Sequence, residues 1–451
     1  MGDSPAYPDD TIVAAATPPG SGGIAVVRIS GPLVVDVALT MLGRLPEPRV
    51  ATFGNFRDAG GALLDQGIAL YFPAPQSFTG EAVLELHGHG GPIVVSGLIE
   101  TAIKLGARRA EPGEFSKRAY LNDKLDLVQA EAIADLIGSG TSQGARAALR
   151  SLSGAFSETV IDLAEQLTRL RMHVEAAIDF PEEDIDFLSD DTLMARLLGC
   201  ESAFTSLRQR TAIGRVLRDG YRVVIAGRPN AAKSSLLNFL AGEETAIVTA
   251  VAGTTRDVLR EVINLDGLMV EFVDTAGLRN DPDAIEAEGI RRARLALANA
   301  DAVLWILDAS ASTADREIDE ALPGGIPVIH VSNKIDLSGD PPGVRVGEPP
   351  QVAISAKTGA GVDALRTLIC QLAGYRDLGE GAFTARQRHV DALDRAWQHF
   401  RSGQRALSEA RAGELLAEEL RLAGRELGTI TGEVTSDDLL GRIFSEFCIG
   451  K

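Results

Sequence analysis

The chain has 451 residues, of which 45% are hydrophobic and 24% are charged, the balance of an ordinary globular protein. These values exclude a wholly disordered chain, and the length predicts about two to four domains. Acidic residues outnumber basic ones, 63 against 44, giving a net charge of −19. That charge argues against a surface coated for nucleic-acid binding, although a local basic patch stays compatible with RNA contact.

Cysteine usage and the N-terminus indicate the compartment. The three cysteines, Cys200, Cys370 and Cys448, are far apart, which excludes a disulfide framework and zinc-finger spacing. The first ten residues, M-G-D-S-P-A-Y-P-D-D, have no apolar stretch and do not form a signal peptide. No apolar run reaches the length of about 18 residues that a membrane span needs. We therefore expect a cytoplasmic protein with no membrane association.

Residues 1–118 alternate short strand patterns with glycine- and proline-rich turns. The runs I-A-V-V-R-I at 24–29 and A-V-L-E-L at 82–86 predict strands, and residues 19–23 and 88–91 predict turns. This texture is typical of an α+β domain.

Helical periodicity dominates two later segments, residues 119–216 and 377–451. Apolar residues from Leu149 to Ala177 step by threes and fours, which predicts one long helix closed by Pro181 and the acidic residues that follow it. Two further stripes run from Val390 to Leu407, with Trp397 and Phe400 in the core, and from Leu416 to Leu427. We expect the two segments to form one helical bundle, interrupted by an inserted domain.

Residues 217–376 form the predicted insertion. Strand patterns at 221–226, 270–273, 302–307 and 327–331 alternate with helical segments, which predicts a mostly parallel, doubly wound α/β sheet.

A phosphate-binding loop follows the first of these strands. The segment G-R-P-N-A-A-K-S at 227–234 lies between a strand and a helix, the setting in which backbone N–H groups and the helix N-terminus cradle phosphates. Lys233 is expected to reach the β- and γ-phosphates, and the hydroxyl of Ser234 to bind Mg²⁺. The pattern normally has glycine at position 232, where this chain has Ala232. If that residue is left-handed, alanine costs about 1–2 kcal/mol and weakens nucleotide binding about tenfold.

Further nucleotide motifs follow in order. D-T-A-G at 274–277 ends a strand and suits Mg²⁺ and γ-phosphate contact, and G-T-T-R-D at 253–257 lies where a switch loop belongs. In N-K-I-D at 333–336, the Asp336 carboxylate can accept two hydrogen bonds, from the N1–H and N2–H₂ groups of guanine. Adenine lacks this pair of donors, so the predicted nucleotide is GTP. S-A-K at 355–357 completes the base pocket. The segment resembles a translation-factor-type GTPase domain. The predicted GTP-binding residues are Asn230, Ala231, Ala232, Lys233, Ser234, Ser235, Thr249, Ala250, Val251, Ala252, Gly253, Thr254, Thr255, Asp274, Thr275, Ala276, Gly277, Asn333, Lys334, Asp336, Ser355, Ala356 and Lys357.

The water-orienting glutamine of Ras-type GTPases is missing, because Leu278 follows D-T-A-G. Glu286 is one candidate to hold the attacking water, although on residue type alone a solvated helix position is the commoner role. Asn230 is a candidate ligand for a monovalent cation beside the phosphates, which would act electrostatically in place of an arginine finger.

Four sequence blocks outside the GTPase segment resemble the MnmE (also called TrmE) family of tRNA-modification GTPases. They are T-I-V-A-A-A-T-P-P-G-S-G-G-I-A-V-V-R-I-S-G at 11–31, F-T-G-E-A-V-L-E-L-H-G-H-G-G at 78–91, P-G-E-F-S-K-R-A-Y-L-N-D-K-L-D-L-V-Q-A-E-A-I-A-D-L-I at 112–137 and F-C-I-G-K at 447–451. With the inserted domain, the resemblance spans nearly the whole chain.

The resemblance implies that the N-terminal domain binds a tetrahydrofolate one-carbon carrier (5,10-methylene- or 5-formyl-tetrahydrofolate) and mediates homodimerisation. Arg28, Glu85, Lys124 and Lys451 match the folate-contacting residues of the family. It further implies K⁺ binding that pairs the two GTPase domains of the dimer, an FAD-containing partner protein, MnmG, forming a heterotetramer, and modification at C5 of the wobble uridine of certain tRNAs. The implied ligands are Ser234 and Thr255 for Mg²⁺ and Asn230, Thr249, Val251 and Thr254 for K⁺, with Glu286 as the catalytic carboxylate.

Two sequence features leave alternatives open. In the terminal C-I-G-K, Cys448 is either a nucleophile or proton donor at the folate site or a small buried residue that positions Lys451. His87 and His89 lack a nearby third metal ligand, so a turn beside the folate pocket is the expected arrangement.

Two other functions share such a GTPase domain, namely a ribosome-assembly GTPase and a mechanical scaffold that dimerises with GTP. The first usually carries a basic RNA-binding module, which these flanking segments lack. The folate-type residues and the terminal tail argue against the second.

Overall fold

The computed structural model describes residues 10–179, 191–227, 231–243, 260–274, 296–311, 325–375 and 381–450. The strands are β1 (Ile12–Ala15), β2 (Gly22–Ser30), β3 (Thr52–Arg57), β4 (Leu63–Phe72), β5 (Val83–Gly90), β6 (Arg108–Arg109), β7 (Tyr221–Gly227), β8 (Arg260–Leu265), β9 (Leu268–Asp274), β10 (Ala302–Asp308), β11 (Val328–Asn333), β12 (Gly343–Arg345) and β13 (Gln351–Ala353).

The helices are α1 (Val34–Leu42), α2 (Pro92–Lys104), α3 (Glu114–Leu121), α4 (Leu127–Gly138), α5 (Ser142–Leu152), α6 (Ala155–Asp179), α7 (Asp191–Asp219), α8 (Lys233–Glu243), α9 (Ile335–Ser338), α10 (Val362–Leu372), α11 (Gln387–Ala410), α12 (Gly413–Thr431) and α13 (Asp437–Ser445). Among the described residues, no helix combines the length and apolar character needed to cross a membrane.

The chain divides into two compact units. The first comprises residues 1–134, 152–175 and 412–451, and the second comprises residues 135–151 and 176–411. Each unit therefore contains segments that are distant in the sequence, and each has its own sheet.

The sheet of the first unit has the strand order β3-β4-β5-β2-β1-β6. Neighbouring strands are antiparallel except for β1 and β6. Alternating apolar side chains from β2, β4 and β5 pack against α1 and α2 around Val27, Leu84 and Leu86, which are fully buried. This mixture of sheet and helix confirms the predicted α+β class.

A second apolar cluster joins the last helix to this unit. Leu440, Ile443 and Phe444 of α13, together with Phe447, pack against Leu127 and Ala130 of α4. The packing fixes the start of the C-terminal tail.

The sheet of the second unit has the order β12-β13-β11-β10-β7-β9-β8. The five central strands are parallel, and the two edge pairs are antiparallel. The four strands predicted from apolar runs are present as β7, β9, β10 and β11, which confirms the doubly wound α/β class.

The long helices of this second unit pack through aromatic side chains. Phe204 of α7 lies 5.6 Å from Trp397 and 5.2 Å from Phe400 of α11, measured between ring centroids. The predicted core role is confirmed for Phe400, which is fully buried, whereas Trp397 is half-buried.

One predicted helix is in fact two. The apolar stripe from Leu149 to Ala177 was expected to lie on a single helix, but α5 ends at Leu152 and α6 starts at Ala155. Gly154 between them has φ of 96°, a conformation that breaks a right-handed helix. As a result Leu149 is 56% exposed instead of sharing the buried face of Phe156 and Val160.

The predicted turn at residues 88–91 is also wrong, because β5 continues to Gly90. Glycine is required at positions 88 and 90 because neighbouring atoms of the sheet leave no room for a side chain. A Cβ at Gly90 would lie 2.6 Å from the Gly22 carbonyl oxygen, and a Cβ at Gly88 would lie 2.5 Å from an Asp65 carboxylate oxygen. The extra strand length places His87 inside the sheet, beside Glu85.

Candidate functional sites

The first unit brings together two of the residues predicted to contact folate. Arg28 and Glu85 are register partners on β2 and β5, so their side chains emerge on the same face. The Nε of Arg28 donates a 2.8 Å hydrogen bond to Oε1 of Glu85. Oε2 of Glu85 lies 3.3 Å from Nε2 of His87, so both carboxylate oxygens have partners.

Two aromatic rings flank the Arg28 guanidinium. Its central carbon lies 5.6 Å from the ring centroid of Phe78 and 5.7 Å from that of Phe115, within cation–π distance. Phe115 is fully buried, whereas Phe78 is 37% exposed. In the described part of the chain, Glu85 is the only side chain that accepts a hydrogen bond from Arg28, whose side chain is 22% exposed. Guanidinium donors therefore face solvent and can bind a carboxylate or carbonyl oxygen.

Lys124 reaches the same region through the loop of residues 77–81. Gly80 of this loop has φ of 81°, and a Cβ there would lie 3.3 Å from Cε of Lys124 and 2.8 Å from Cβ of Asn122. The Asn122 amide donates a 2.7 Å hydrogen bond to the Thr79 carbonyl. The loop that carries Phe78 thus also contacts Lys124.

A buried ion network that the sequence did not predict holds this loop. Arg118, 1% exposed, donates hydrogen bonds to Glu81 at 2.9 Å, to Asp10 at 2.6 Å and to Glu114 at 3.0 Å. Burial by itself raises the pKa of the Glu114 carboxyl, but hydrogen bonds from Arg108, the Glu111 backbone and Arg118 outweigh it and lower that pKa below its ordinary value. The Glu114 carboxylate therefore stays ionised against the buried guanidinium. The signal for this network was the charge within the blocks at 78–91 and 112–137, where we had assigned roles only to Glu85 and Lys124.

The C-terminal tail lies across the start of α3 and the end of β1. Ile449 forms an antiparallel bridge with Pro112, and the Gly113 N–H donates to the Cys448 carbonyl at 3.3 Å. Gly450 has φ of 94°, and a Cβ there would overlap the carbonyl oxygen of Ala15. Since Ala14 is the register partner of Arg28, the tail ends close to the strand pair that carries the site. Cys448 is exposed, so the alternative of a buried small residue is wrong.

The second unit aligns the ends of its parallel strands at one edge of the sheet. Ile306 of β10 pairs with Gly227, Ile225 pairs with Asp274, and Asp308 pairs with Asn333. Ligands of open α/β sheets bind at such carboxyl ends, so the predicted nucleotide motifs share one edge.

The described end of the phosphate loop has the left-handed backbone conformation that favours glycine, although the residue at that position is alanine. Ala232 has φ of 60°, in the left-handed region, directly before α8. Its carbonyl accepts the Leu236 N–H at 3.1 Å, which starts the helix. The Lys233 ammonium donates to the Gly227 carbonyl at 2.8 Å across the loop, while Ser234 and Ser235 are exposed.

Asn333 joins the phosphate loop to the predicted guanine-binding segments. Its side-chain amide, fully buried, donates to the Ala231 carbonyl at 3.0 Å. Its Oδ1 accepts the backbone N–H groups of Lys334, at 2.8 Å, and Ala356, at 3.0 Å. One neutral side chain therefore fixes three backbone segments relative to each other.

The polar residues around Asn333 have hydrogen-bond and ion-pair partners of their own. The Ser355 hydroxyl donates to Asp336 Oδ1 at 2.7 Å, and the Lys334 ammonium lies 2.6 Å from Asp308. Burial alone raises the pKa of the Asp308 carboxyl, but the Lys334 hydrogen bond and those from Ser310 lower it overall. Lys357 is exposed next to Ala356. Sequence reasoning missed the Asp308–Lys334 pair, because Asp308 belongs to no nucleotide motif.

The remaining predicted residues lie outside the described part of the chain, as does the side chain of Asp274. They are Asn230, Thr249, Ala250, Val251, Ala252, Gly253, Thr254, Thr255, Thr275, Ala276, Gly277, Glu286 and Lys451. They include all four predicted K⁺ ligands, so the K⁺ site stays a prediction.

Family profiles match almost the whole chain. A profile described as the MnmE helical domain matches residues 127–448, and one described as the GTP-binding protein TrmE N-terminus matches residues 11–124. Proteins described as tRNA modification GTPase MnmE are also similar. The one from Alkalilimnicola ehrlichii is 56% identical over 442 residues, and the one from Pectobacterium atrosepticum is 54% identical over 450 residues. Each alignment covers 98% of this chain and 99% of the relative. Among solved structures, the G domain of the FeoB iron transporter of T. maritima aligns with 34% of this chain and 98% of its own, at 24% identity and a TM-score of 0.24.

Proposed function

Because the chain belongs to the MnmE (TrmE) family, we propose that it is a GTPase that acts in tRNA modification. The single observation that carries the GTPase part is Asn333, which bonds both Ala231 of the phosphate loop and Ala356 of the base-binding segment. That link between the two segments supports a site in which phosphate donors and the guanine acceptor Asp336 serve one nucleotide.

In this proposal GTP binds through the phosphate loop, where Lys233 neutralises the phosphates and Ser234, with Thr255, holds Mg²⁺. The exposed Ser234 hydroxyl on the first turn of α8 is compatible with this role. Asp336 selects guanine, held in place by the Ser355 hydroxyl. Glu286 orients the attacking water, and K⁺, bound by Asn230, Thr249, Val251 and Thr254, supplies positive charge beside the phosphates.

The second part of the proposal is one-carbon chemistry in the first unit. A tetrahydrofolate supplies the one-carbon group there, and Arg28 and Lys124 bind its polar groups while Glu85 accepts from its heterocycle. The solvent-facing guanidinium donors of Arg28 support this ligand class. With an FAD-containing, MnmG-like partner in a heterotetramer, the homodimeric protein would act in the cytoplasm and add an aminomethyl-type group (carboxymethylaminomethyl or aminomethyl) to C5 of the wobble uridine of certain tRNAs.

The test of the GTPase part is hydrolysis measured in KCl and in NaCl at equal ionic strength. We expect strong stimulation by K⁺ alone. Equal rates in the two salts would remove the K⁺ mechanism and leave the GTPase, and no hydrolysis in either would overturn the GTPase itself.

The folate part is tested with the MnmG-like partner, a tRNA substrate and Arg28→Gln. The matched control is Arg44→Gln, since Arg44 is an exposed arginine of the same unit that donates to a backbone carbonyl. We expect modification to need added folate and to be lost in Arg28→Gln but not in Arg44→Gln, with GTP hydrolysis unchanged in both. Modification that proceeds without folate would point instead to a GTPase without one-carbon chemistry.

A further inference from the structure

We propose that Phe78 is a ligand-binding residue, presenting an aromatic face to a planar ring of the folate. This inference rests on the proposed folate site and adds a residue to it. The observation behind it is an aromatic side chain that is 37% exposed although the loop around it is tightly held and its neighbour is a charged pair.

The backbone on both sides of Phe78 is fixed. The Ser77 hydroxyl donates to the Glu81 carbonyl, and Thr79, fully buried, bonds the Ser30 hydroxyl at 2.7 Å. Glu81 is held by the buried Arg118. The exposure of Phe78 is therefore a property of an ordered loop, and a ring held in place loses little entropy when a ligand stacks on it.

A role in shielding the Arg28 guanidinium from water does not by itself explain why an aromatic side chain stands at position 78. Phe115 already lies 5.7 Å from the guanidinium and is fully buried, so it supplies an apolar wall on its own. Phe78 instead leaves part of its ring in solvent, directly beside free guanidinium donors. An aromatic surface next to such donors suits a flat ring that carries hydrogen-bond acceptors.

Tetrahydrofolate has two flat rings of this kind, the pyrimidinone ring of its pterin and the p-aminobenzoyl ring, whereas the other ring of the pterin is saturated and is not flat. A stacked aromatic pair contributes roughly as much as a good hydrogen bond. We expect Phe78 to increase the affinity for the ring-bearing part of the ligand and to have no effect on GTP.

The experiment measures binding of 5-formyltetrahydrofolate to the full-length protein by calorimetry. We expect Phe78→Leu to weaken binding roughly threefold to tenfold, because leucine keeps the apolar contact and loses the stacking surface. Phe78→Tyr keeps the ring and should bind within about twofold of the native protein. The control Phe53→Leu makes the same exchange at an aromatic side chain of the same unit that is 65% exposed, and should have no effect.

A ring-current readout separates stacking from a structural role. Protons of the bound folate ring should show upfield NMR shifts in the native protein and in Phe78→Tyr, and these shifts should be lost in Phe78→Leu at saturating ligand. If Phe78→Leu bound 5-formyltetrahydrofolate with native affinity and the bound ring showed the native NMR shifts, this inference alone would be overturned. No binding of 5-formyltetrahydrofolate by the native protein would overturn the proposed folate site and this inference together.

Discussion

The two candidate sites are built from different materials. In the first unit, charged side chains do the positioning, with Arg118 joining Asp10, Glu81 and Glu114 beneath the loop that carries Phe78. In the second unit, a neutral amide side chain does the positioning, because Asn333 fixes three backbone segments with hydrogen bonds alone. The difference suits the ligands that we propose for the two sites. A site that binds with its own charged side chains needs fixed counter-charges, whereas a phosphate site that binds with backbone N–H groups needs a fixed backbone.

The largest effect is expected from Arg118→Met in the first unit. The change removes the cation that pairs with Glu81 and leaves Asp10 and Glu114 with Arg108 as their cation, which should lower the free energy of unfolding of that unit by about 3–5 kcal/mol. Hydrogen exchange of β2 and β5 peptides in urea measures it. Tryptophan fluorescence serves as an internal control, because Trp305 and Trp397 both belong to the second unit and their transition should not move.

The exposed pair Arg169–Glu165 supplies the matched variant. Arg169→Met removes a cation that is 72% exposed, so the loss should stay below about 1 kcal/mol. If the two substitutions cost the same, the charged network would not be what holds the first site.

The next largest effect is expected from Asn333→Ala in the second unit. The Ala231 carbonyl and two backbone N–H groups lose their partner, and each buried unpaired group costs about 1–3 kcal/mol. We expect GTP affinity, measured with a fluorescent analogue, to fall at least about thirtyfold.

Asn264→Ala is the control for that substitution. Its side chain accepts one backbone N–H, that of Gly267, in the β8–β9 hairpin of the same unit. A fall in GTP affinity as large as that of Asn333→Ala would show that general loss of stability, and not the link between the two loops, weakens binding.

A smaller effect is expected from Gly450→Ala. Alanine costs about 1–2 kcal/mol in this left-handed conformation, and its Cβ would overlap the Ala15 carbonyl oxygen, so the tail should leave its place. Carboxypeptidase should then shorten the tail faster, and folate affinity should fall about tenfold.

Gly441→Ala is the matched exchange for the tail, because a Cβ at Gly441 in α13 meets no other atom. Alanine favours the helix by about 1 kcal/mol, so stability should hold or rise. Tail cleavage that is equally fast in both variants would argue against docking through Gly450.

The smallest effect is expected from Ala232→Gly. Because Ala232 is left-handed in the folded protein, its cost of about 1–2 kcal/mol falls on folding and not on nucleotide binding, so we expect a smaller loss of affinity than the roughly tenfold loss inferred from the sequence. The greater freedom of glycine in the unfolded chain offsets part of the gain in stability. Stability should change by less than about 1 kcal/mol, and GTP affinity by less than about fivefold. Hydrolysis that appears only in the glycine variant would instead mean that Ala232 disables the loop.

The sequence predicted most of the fold because apolar strands and helix stripes leave regular patterns. Its errors came from glycine, whose role depends on neighbours distant in the sequence. Gly154 broke a helix whose apolar period continued across it, and Gly88 and Gly90 looked like a turn although they are strand residues with no room for a side chain. For the sites, linear motifs led to the prediction of Lys233, Asn333 and Asp336 as nucleotide-binding residues. Arg118 and Asp308 could not be found in this way, because their roles come from partners in other segments.

The composition of the first unit also has a consequence for biosynthesis. Its sheet and α3 are complete by residue 134, but the tail that lies against Ala15 and Gly113 belongs to residues 412–451. At about 5–20 residues per second, translation of the roughly 300 residues in between takes on the order of tens of seconds. All of the second unit is synthesised within that interval. On the ribosome the second unit can therefore fold before the tail residue that contacts the strand end at Ala15 has been synthesised.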